Sequence, residues 1–548
     1  MIQDAELTFQ TLTTRKGASE LPWKAIRTRP HQQEPIQTSV RKYLPVWLNE
    51  CFSTHDLLYH TLREPLPKRV IDIGQSSGNS ALRLYETKGE SERYICLSHC
   101  WGDFQPICTT TANINDYKKS ISWKSLPKTF QDTVDLARFL NVRYLWIDSL
   151  CIIQDDLKDW EREAAEMANI YSKSYLTIAA TAAFDCSQGL YSNSTQQITG
   201  PHELKVIIDG DKEASVYAVS LPPHDAYEIL AAFLDVGPNF PLLKRAWCFQ
   251  EHILSPRVIQ PGPYEAVFEC NAGLKCPCGQ VRPNGSPKSG LAKFLQQYQG
   301  TRPMDPGELQ SVHSAWYDTI VREYAARLLK YSSDRLVTLS GVARVFHSAY
   351  QSTYLAGLWE RDLLSGLCWY LRPSGGELKR RPNEYIAPTW SWASINQPVQ
   401  WSTYVEFGRF DAEIVQALCT PKTHDPFGAV RDGRITVKGT LVQVEHSTPS
   451  SGGEHSVAVN GVNKVYHADY PPEGNLQPLA SKQTYFLLRL SHAERLKVGV
   501  PKNIEPNLRA LVLKASGSNY ERVGYLEAYG QEVLDWFEGV TEKVITIV

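Results

Sequence analysis

Short apolar runs alternate with stretches of helical period between residues 94 and 180. Tyr94-Ile-Cys-Leu-Ser98, Tyr144-Leu-Trp-Ile147 and Leu176-Thr-Ile-Ala-Ala180 are too short to be buried helices and predict buried strands. Between the first two, residues 125–140 place Phe130, Val134, Ala137 and Phe139–Leu140 near helical spacing, with Ser125 expected as N-cap and Pro127 in the first turn. Between the second and third, Trp160, Glu163, Met167 and Tyr171 fall at i, i+3, i+7 and i+11, one helical face, with Asp156 placed to cap it. Strand, helix, strand, helix, strand with short connections predicts a parallel α/β layer. Ligands of such sheets gather at the carboxyl ends of the strands, where residues 98–101 and 148–154 fall.

The pattern changes along the chain. Residues 56–62 and 68–74 read as short strands or turns, and 86–92 as a charged connector. Residues 244–254 read as a helix closed by Pro256, and 316–331, 334–350 and 357–369 as further helices. Residues 388–394, Pro-Thr-Trp-Ser-Trp-Ala-Ser, form a compact aromatic segment. After Arg431 alternating strands take over, at 434–444, 484–490 and 509–513, separated by turns such as Ser-Ser-Gly-Gly at 450–453. Four segments are expected: 1–90 at the N-terminus, 91–260 as the α/β domain, 261–425 as a mainly helical extension, and 426–548 as a β-rich module.

Composition narrows the function classes. A chain of 548 residues exceeds the size of one core, and its 42% apolar and 21% charged residues are ordinary for a globular protein. A net charge of −2 supplies no global field for nucleic acid or anionic lipid. No signal peptide is read at the start, and the apolar runs are too short to span a bilayer. The 12 cysteines are scattered and read as reduced thiols, so a cytoplasmic protein is expected.

The densest chemistry lies at 145–171. Glu163, on an apolar helix face beside Trp160, is a candidate acid, base or cation stabiliser; the alternative is a structural bridge to the neighbourhood of Arg162 or to Arg245. Cys151 with His99 and Asp148 offers a thiol, an imidazole and an orienting acid; the alternative is a buried thiol beside a carboxylate that accepts backbone N–H bonds. Trp101 and Gly102 could wall a pocket, with Gln154 at its edge, and Arg245, Gln250 and Glu251 share a helix on which arginine could hold phosphate. Cys270, Cys276 and Cys278 with His252 match neither paired-CxxC spacing, so no metal is expected. No GxxxxGK[ST], GxGxxG after a strand, or HExxH occurs, so control would need self-association or another protein.

Four segments together resemble the fungal heterokaryon incompatibility (HET) family. They are Tyr94-Ile-Cys-Leu-Ser-His-Cys-Trp-Gly102; Leu145-Trp-Ile-Asp-Ser-Leu-Cys-Ile-Ile-Gln154 with Trp160, Glu163, Met167 and Tyr171; Arg245-Ala-Trp-Cys-Phe-Gln-Glu-His-Ile-Leu-Ser-Pro-Arg257; and Trp390-Ser-Trp-Ala-Ser394. The resemblance implies a TIR-like parallel sheet flanked by helices, followed by a helical region and a β-rich module. It also implies a role in non-self recognition and programmed cell death when incompatible strains fuse. Some TIR relatives hydrolyse NAD with a helix-borne Glu, an analogy that points to Glu163 and makes NAD a substrate to test. One departure stands out: relatives usually carry Asn where this chain has Ile153. Three readings stay open. They are an effector with NAD hydrolysis, a non-catalytic module that signals by self-association or with a protein partner, and an accessory enzyme of secondary metabolism with a small-molecule ligand. A pocket joining Trp101, Asp148 and Glu163 would mark the first; a packed junction with Glu163 ion-paired would mark the second.

Overall fold

The computed structural model describes residues 10–13, 35–54, 64–74, 81–102, 107–191, 202–209, 212–219, 239–279, 281–282, 286–298, 304–371, 379–402, 410–447, 455–470, 484–496 and 504–548. The expected element at 56–62 and the turn at 450–453 lie outside them. The chain divides into two compact units, Met1–Lys244 with Glu251–Ser289, and Arg245–Gln250 with Gly290–Val548.

The first unit is built on an eight-stranded sheet. In chain order its strands are β1 (Arg69–Asp72), β2 (Arg83–Glu86), β3 (Tyr94–Ser98), β4 (Tyr144–Ile147), β5 (Leu176–Ala179), β6 (Arg257–Pro261), β7 (Ala266–Cys270) and β8 (Gly273–Lys275). Their spatial order is β8-β7-β6-β5-β3-β4-β1-β2. The three expected strands β3, β4 and β5 are parallel neighbours at its centre, joined by β6. Antiparallel strands extend both flanks. Every residue of β3, β5 and β6 is buried, which is why these strands read as continuous apolar runs without alternation. A separate three-stranded antiparallel sheet joins Gln10–Thr13, His202–Asp209 and Lys212–Val219.

The helices of this unit are α1 (Ile36–Thr54), α2 (Lys128–Phe139), α3 (Asp148–Cys151), α4 (Leu157–Ser172) and α5 (Ala246–Leu254), whose first five residues belong to the second unit; α2 follows a short helix at Ile114–Lys119. Helix α2 begins two residues later than the expected Ser125 cap would place it. Pro127 is its N-cap, and Trp123–Ser125 form a separate 3-10 turn. The proline ring disfavours a helical residue before it, and Leu126 is accordingly extended, at ψ 131. Helix α4 starts as expected, with the Asp156 side chain accepting the N–H groups of Lys158 and Asp159. It buries Glu163, Met167 and Tyr171, and also Asp159 and Ile170.

Two tyrosines fasten α4 to β3. The Tyr94 hydroxyl donates to the Ile170 carbonyl at 2.6 Å, and the Tyr171 hydroxyl to the Leu97 carbonyl at 3.2 Å. Tyr171 also meets Trp146 of β4 edge-on, with ring centroids 5.5 Å apart. Such a ring pair adds about 0.5–1.5 kcal/mol beyond the area it buries. These contacts fix α4 against β3 and β4.

The second unit combines helices, including Val337–Tyr350, with a nine-stranded, mostly antiparallel sheet. Its long strands, Val430–Ser447, Tyr485–Leu496, Ile504–Ser516 and Asn519–Tyr529, cover the three stretches expected after Arg431. The expected helix at 357–369 is not formed as one element. Leu358–Trp359 pairs with Tyr354–Leu355, short turns follow over 360–366, and Trp369–Leu371 pairs with Val399–Trp401. Gly357 sits at φ +99, outside the helical region, and its carbonyl accepts the indole N–H groups of Trp316 and Trp392, each at 3.0 Å. Among the described residues, no helix is long and apolar enough to cross a membrane.

Candidate functional site

Strand pairing sets up the junction. Leu97 of β3 lies opposite Ile147 of β4 in parallel register, so the next residues of each strand leave the sheet at one level. His99 and Asp148 therefore meet, with Nδ1 3.7 Å from Oδ1. His99 is buried and rests edge-on against Phe130 of α2 at 5.0 Å. The Trp101 indole N–H donates to Asp148 Oδ2 at 2.9 Å, and the Ser149 N–H to Oδ1 at 2.8 Å. Asp148 keeps 23% of its side-chain surface exposed, and Trp101 is half-buried beside it.

Gly102 makes the turn after Trp101 at φ +61. A Cβ there would sit 2.6 Å from Asp185 Cβ and 2.9 Å from the Phe184 carbonyl oxygen, so the position needs glycine twice over. Gln154 closes the other side. Its amide donates to the carbonyls of Asp148 and Ile152 at 3.1 and 3.2 Å, and its own N–H donates to Thr109 O at 2.9 Å. The Thr109 hydroxyl donates to the Leu150 carbonyl at 2.6 Å, so the 107–110 segment is tied to the junction. Gln154 thus holds backbone here.

Glu163 lies in a second polar cluster. It is 3% exposed, with Oε1 3.5 Å from Arg69 Nη2 and 3.5 Å from Arg162 Nε. Arg69, itself buried, bonds the Asp159 carboxylate and donates through Nε to the Cys151 carbonyl at 2.6 Å. Arg162 and Lys68 also reach Asp159, and the Ile153 N–H donates to Asp159 Oδ2 at 3.0 Å. Burial raises the Glu163 pKa above its ordinary 4.5, with Arg69 only partly offsetting it. Asp159 goes the other way: burial is outweighed by the Ile153 N–H and by Arg69, so it titrates below 3.8. Of the two bridges expected for Glu163, the Arg162 neighbourhood is the one seen; Arg245 belongs to the second unit.

Cys151 sits between the clusters and is fully buried. Burial pushes its thiol up to about 12, and the Glu163 and Asp148 carboxylates add to the rise. A thiol so placed is protonated at neutral pH and behaves as a small apolar side chain. Trp160 is half-buried on α4. Of the α5 residues, Gln250 belongs to the second unit, where Oε1 accepts the Gly341 N–H at 3.0 Å; Glu251 is buried in the first unit, near enough to Cys96 to raise its pKa.

The metal-type donors singled out by spacing do not gather into one set. His252 pairs with the buried Glu269, and Cys270 neighbours Cys51. Cys276 and Cys278 converge on Glu265 instead.

Arg69 and Asp159 are the residues that sequence reasoning missed. The signal was present: Arg69 opens an apolar strand in Lys68-Arg-Val-Ile-Asp-Ile-Gly, and Asp159 lies four residues before Glu163 on the helical face already assigned to the core. At position 153 the backbone N–H enters the network, and any residue but proline supplies it. The change to Ile153 therefore leaves this contact in place.

The site is a strand-to-helix junction of a parallel α/β unit, lined by conjoined aromatic, acidic and basic groups. Residues 94–251 match the family model described as heterokaryon incompatibility protein (HET), and the chain carries a HET domain. No curated protein and no solved structure shows significant similarity to the chain. The β1–β2 pair and all of β6–β8 lie outside the matched span yet belong to the same sheet.

Proposed function

We propose that this protein is an effector or regulator of heterokaryon incompatibility, acting in non-self recognition and cell death, and that its HET unit signals by association with no chemistry at the junction. The family match supports the role. The observation that carries the non-catalytic reading is the buried Arg69–Asp159–Glu163–Arg162 network. Glu163, the helix-borne acid that the TIR analogy selects, is sequestered between two guanidinium groups. Cleaving the glycosidic bond of NAD calls for a carboxylate facing the cationic ribose. A buried, twice-paired one holds α4 to the sheet instead.

A second reading rests on Asp148. It is the less buried acid of the junction, lies at the carboxyl ends of parallel strands, and is oriented by the Trp101 indole. In that reading Asp148 faces the ribose of NAD, Trp101 stacks on the base, and Glu163 positions α4.

One experiment separates the two. The full chain is expressed under an inducible promoter in a filamentous fungus, as wild type, Asp148→Asn and Glu163→Gln, while viability and cellular NAD are followed. Death with unchanged NAD, kept by both variants, is the expected outcome. Death preceded by NAD loss, with both effects abolished in a folded Asp148→Asn protein, replaces the first reading with the second. No effect on viability in any strain removes the effector role.

A further inference from the structure

The β7–β8 hairpin and the turn after it bring three metal-type donors together at the edge of the first unit's sheet. Strands β7 and β8 pair antiparallel, with Phe268 opposite Lys275, Glu269 opposite Leu274 and Cys270 opposite Gly273. Glu265 precedes β7 while Cys276 and Cys278 follow β8, so the hairpin returns all three to the same end of the pair. The two cysteines lie in a tight turn over residues 276–279, which brings both sulfurs to one side.

The contacts agree with that placement. Cys276 Sγ and Cys278 Sγ are 3.3 Å apart, and Cys278 Sγ is 3.1 Å from Glu265 Oε1. The donor atoms of all three residues lie within 4.8 Å of one another. Two backbone groups brace the set: the Val281 N–H points at Cys276 Sγ at 3.4 Å, and the Cys278 N–H donates to Glu265 Oε2 at 3.1 Å. A turn closed from Gly279 N–H to Cys276 O at 3.1 Å wraps the chain around the sulfurs. Behind them an apolar cluster of Phe240, Leu243, Val267, Leu274 and Val281 keeps water from one side.

We propose that Glu265, Cys276 and Cys278 bind a thiophilic divalent cation of the zinc class, which clips the β7–β8 edge to the segment after it. Two sulfurs and one carboxylate oxygen suit zinc, with a water or an added donor in the fourth place. Ordinary zinc bond lengths put tetrahedral ligand pairs about 3.8 Å apart for two sulfurs and about 3.6 Å for sulfur and oxygen. These two separations need to open by about half an ångström. Binding M²⁺ forms two M–S bonds and one M–O bond, and the two thiol protons go to solvent. The N–H groups already aimed at Cys276 Sγ and Glu265 Oε2 then stabilise the bound charge.

The test uses the full chain, purified under reducing conditions without added chelator. Elemental analysis of the wild type is expected to show about one zinc per chain. Cobalt(II) added to the stripped protein is expected to give tetrahedral d–d bands and a thiolate charge-transfer band. Cys276→Ser and Cys278→Ser lose both signals, and Glu265→Gln weakens zinc binding by about 10–100-fold. Cys108→Ser and Cys419→Ser, remote in sequence, keep full stoichiometry. Glu265→Gln is nearly isosteric, so it stays informative if a serine variant fails to fold. Three results overturn the proposal: no zinc and no cobalt bands in the wild type; bands that persist in Cys276→Ser/Cys278→Ser; or a Cys276–Cys278 disulfide, seen as two missing mass units.

Discussion

Arg69 Nη2 lies 3.5 Å from Glu163 Oε1, with both side chains buried, so a strand and a helix some ninety residues apart share one ion pair. The same guanidinium holds Asp159 and the Cys151 carbonyl. Three partners on two elements make Arg69 the centre of the junction.

Removing that centre should leave two buried carboxylates with only the half-exposed Arg162 and Lys68 as cationic partners. Arg69→Met is expected to destabilise the first unit by about 3–5 kcal/mol, the usual consequence of breaking a buried pair from one side. Adding Asp159→Asn in the same chain should recover part of the loss, because it removes one stranded charge. Urea unfolding of the single and double variants checks this. A single variant within about 1 kcal/mol of wild type would refute the central role.

Glu163 should make its own mark on the pH dependence of stability. Its native pKa is raised above 4.5, so between 4.5 and the native value the folded chain holds a proton that the unfolded chain has lost. Its contribution is therefore fully present below 4.5 and declines as pH rises through the native pKa. Asp159, lowered from 3.8, contributes above 3.8 and loses that contribution as pH falls. Glu163→Gln should flatten the first slope and stay within about 1 kcal/mol of wild type at pH 7. Unfolding midpoints from pH 4 upward test it; an unchanged slope in the variant contradicts the assignment.

The indole bond to Asp148 is open to a conservative probe. Trp101→Phe keeps an aromatic side chain while removing the five-membered ring and the N–H that donates at 2.9 Å. A hydrogen bond to a charged group contributes about 1.5–3 kcal/mol, and partial exposure here favours the lower end. Loss of about 1.5 kcal/mol in wild type but not in an Asp148→Asn background, read as a double-mutant cycle, is the expected outcome.

Gly357 of the second unit tolerates no side chain. An added Cβ would lie 2.5 Å from Trp392 Nε1, at a φ of +99. Gly357→Ala should cost at least about 2 kcal/mol from backbone strain and the displaced indole. A thermal midpoint unchanged from wild type would show that the Trp316–Gly357–Trp392 arrangement is dispensable.

Much of the first unit was legible along the chain, because its evidence is local. β3, β4 and β5 announce themselves as apolar runs because buried parallel strands have no wet face. Asp156 caps α4 through groups two and three residues away. The face carrying Glu163, Met167 and Tyr171 follows from helical period alone. The helix at 357–369 failed for the opposite reason. Its apolar residues fit a helical period, but Gly357 must turn to present one carbonyl to two distant indoles.

The sequence by itself determined the central strands, the helix over them, the residues at the strand ends and the match of residues 94–251 to the HET family model. Tertiary structure decided what those residues touch. Only strand register brings His99 to Asp148, and only the pairing of β1 beside β4 delivers Arg69 to Glu163. The same holds for Glu265 and Cys278, thirteen positions apart and brought together where the β7–β8 hairpin ends. Periodicity reports which face of an element is buried. The partner that meets that face comes from elsewhere in the chain, and spacing within one segment carries no record of it.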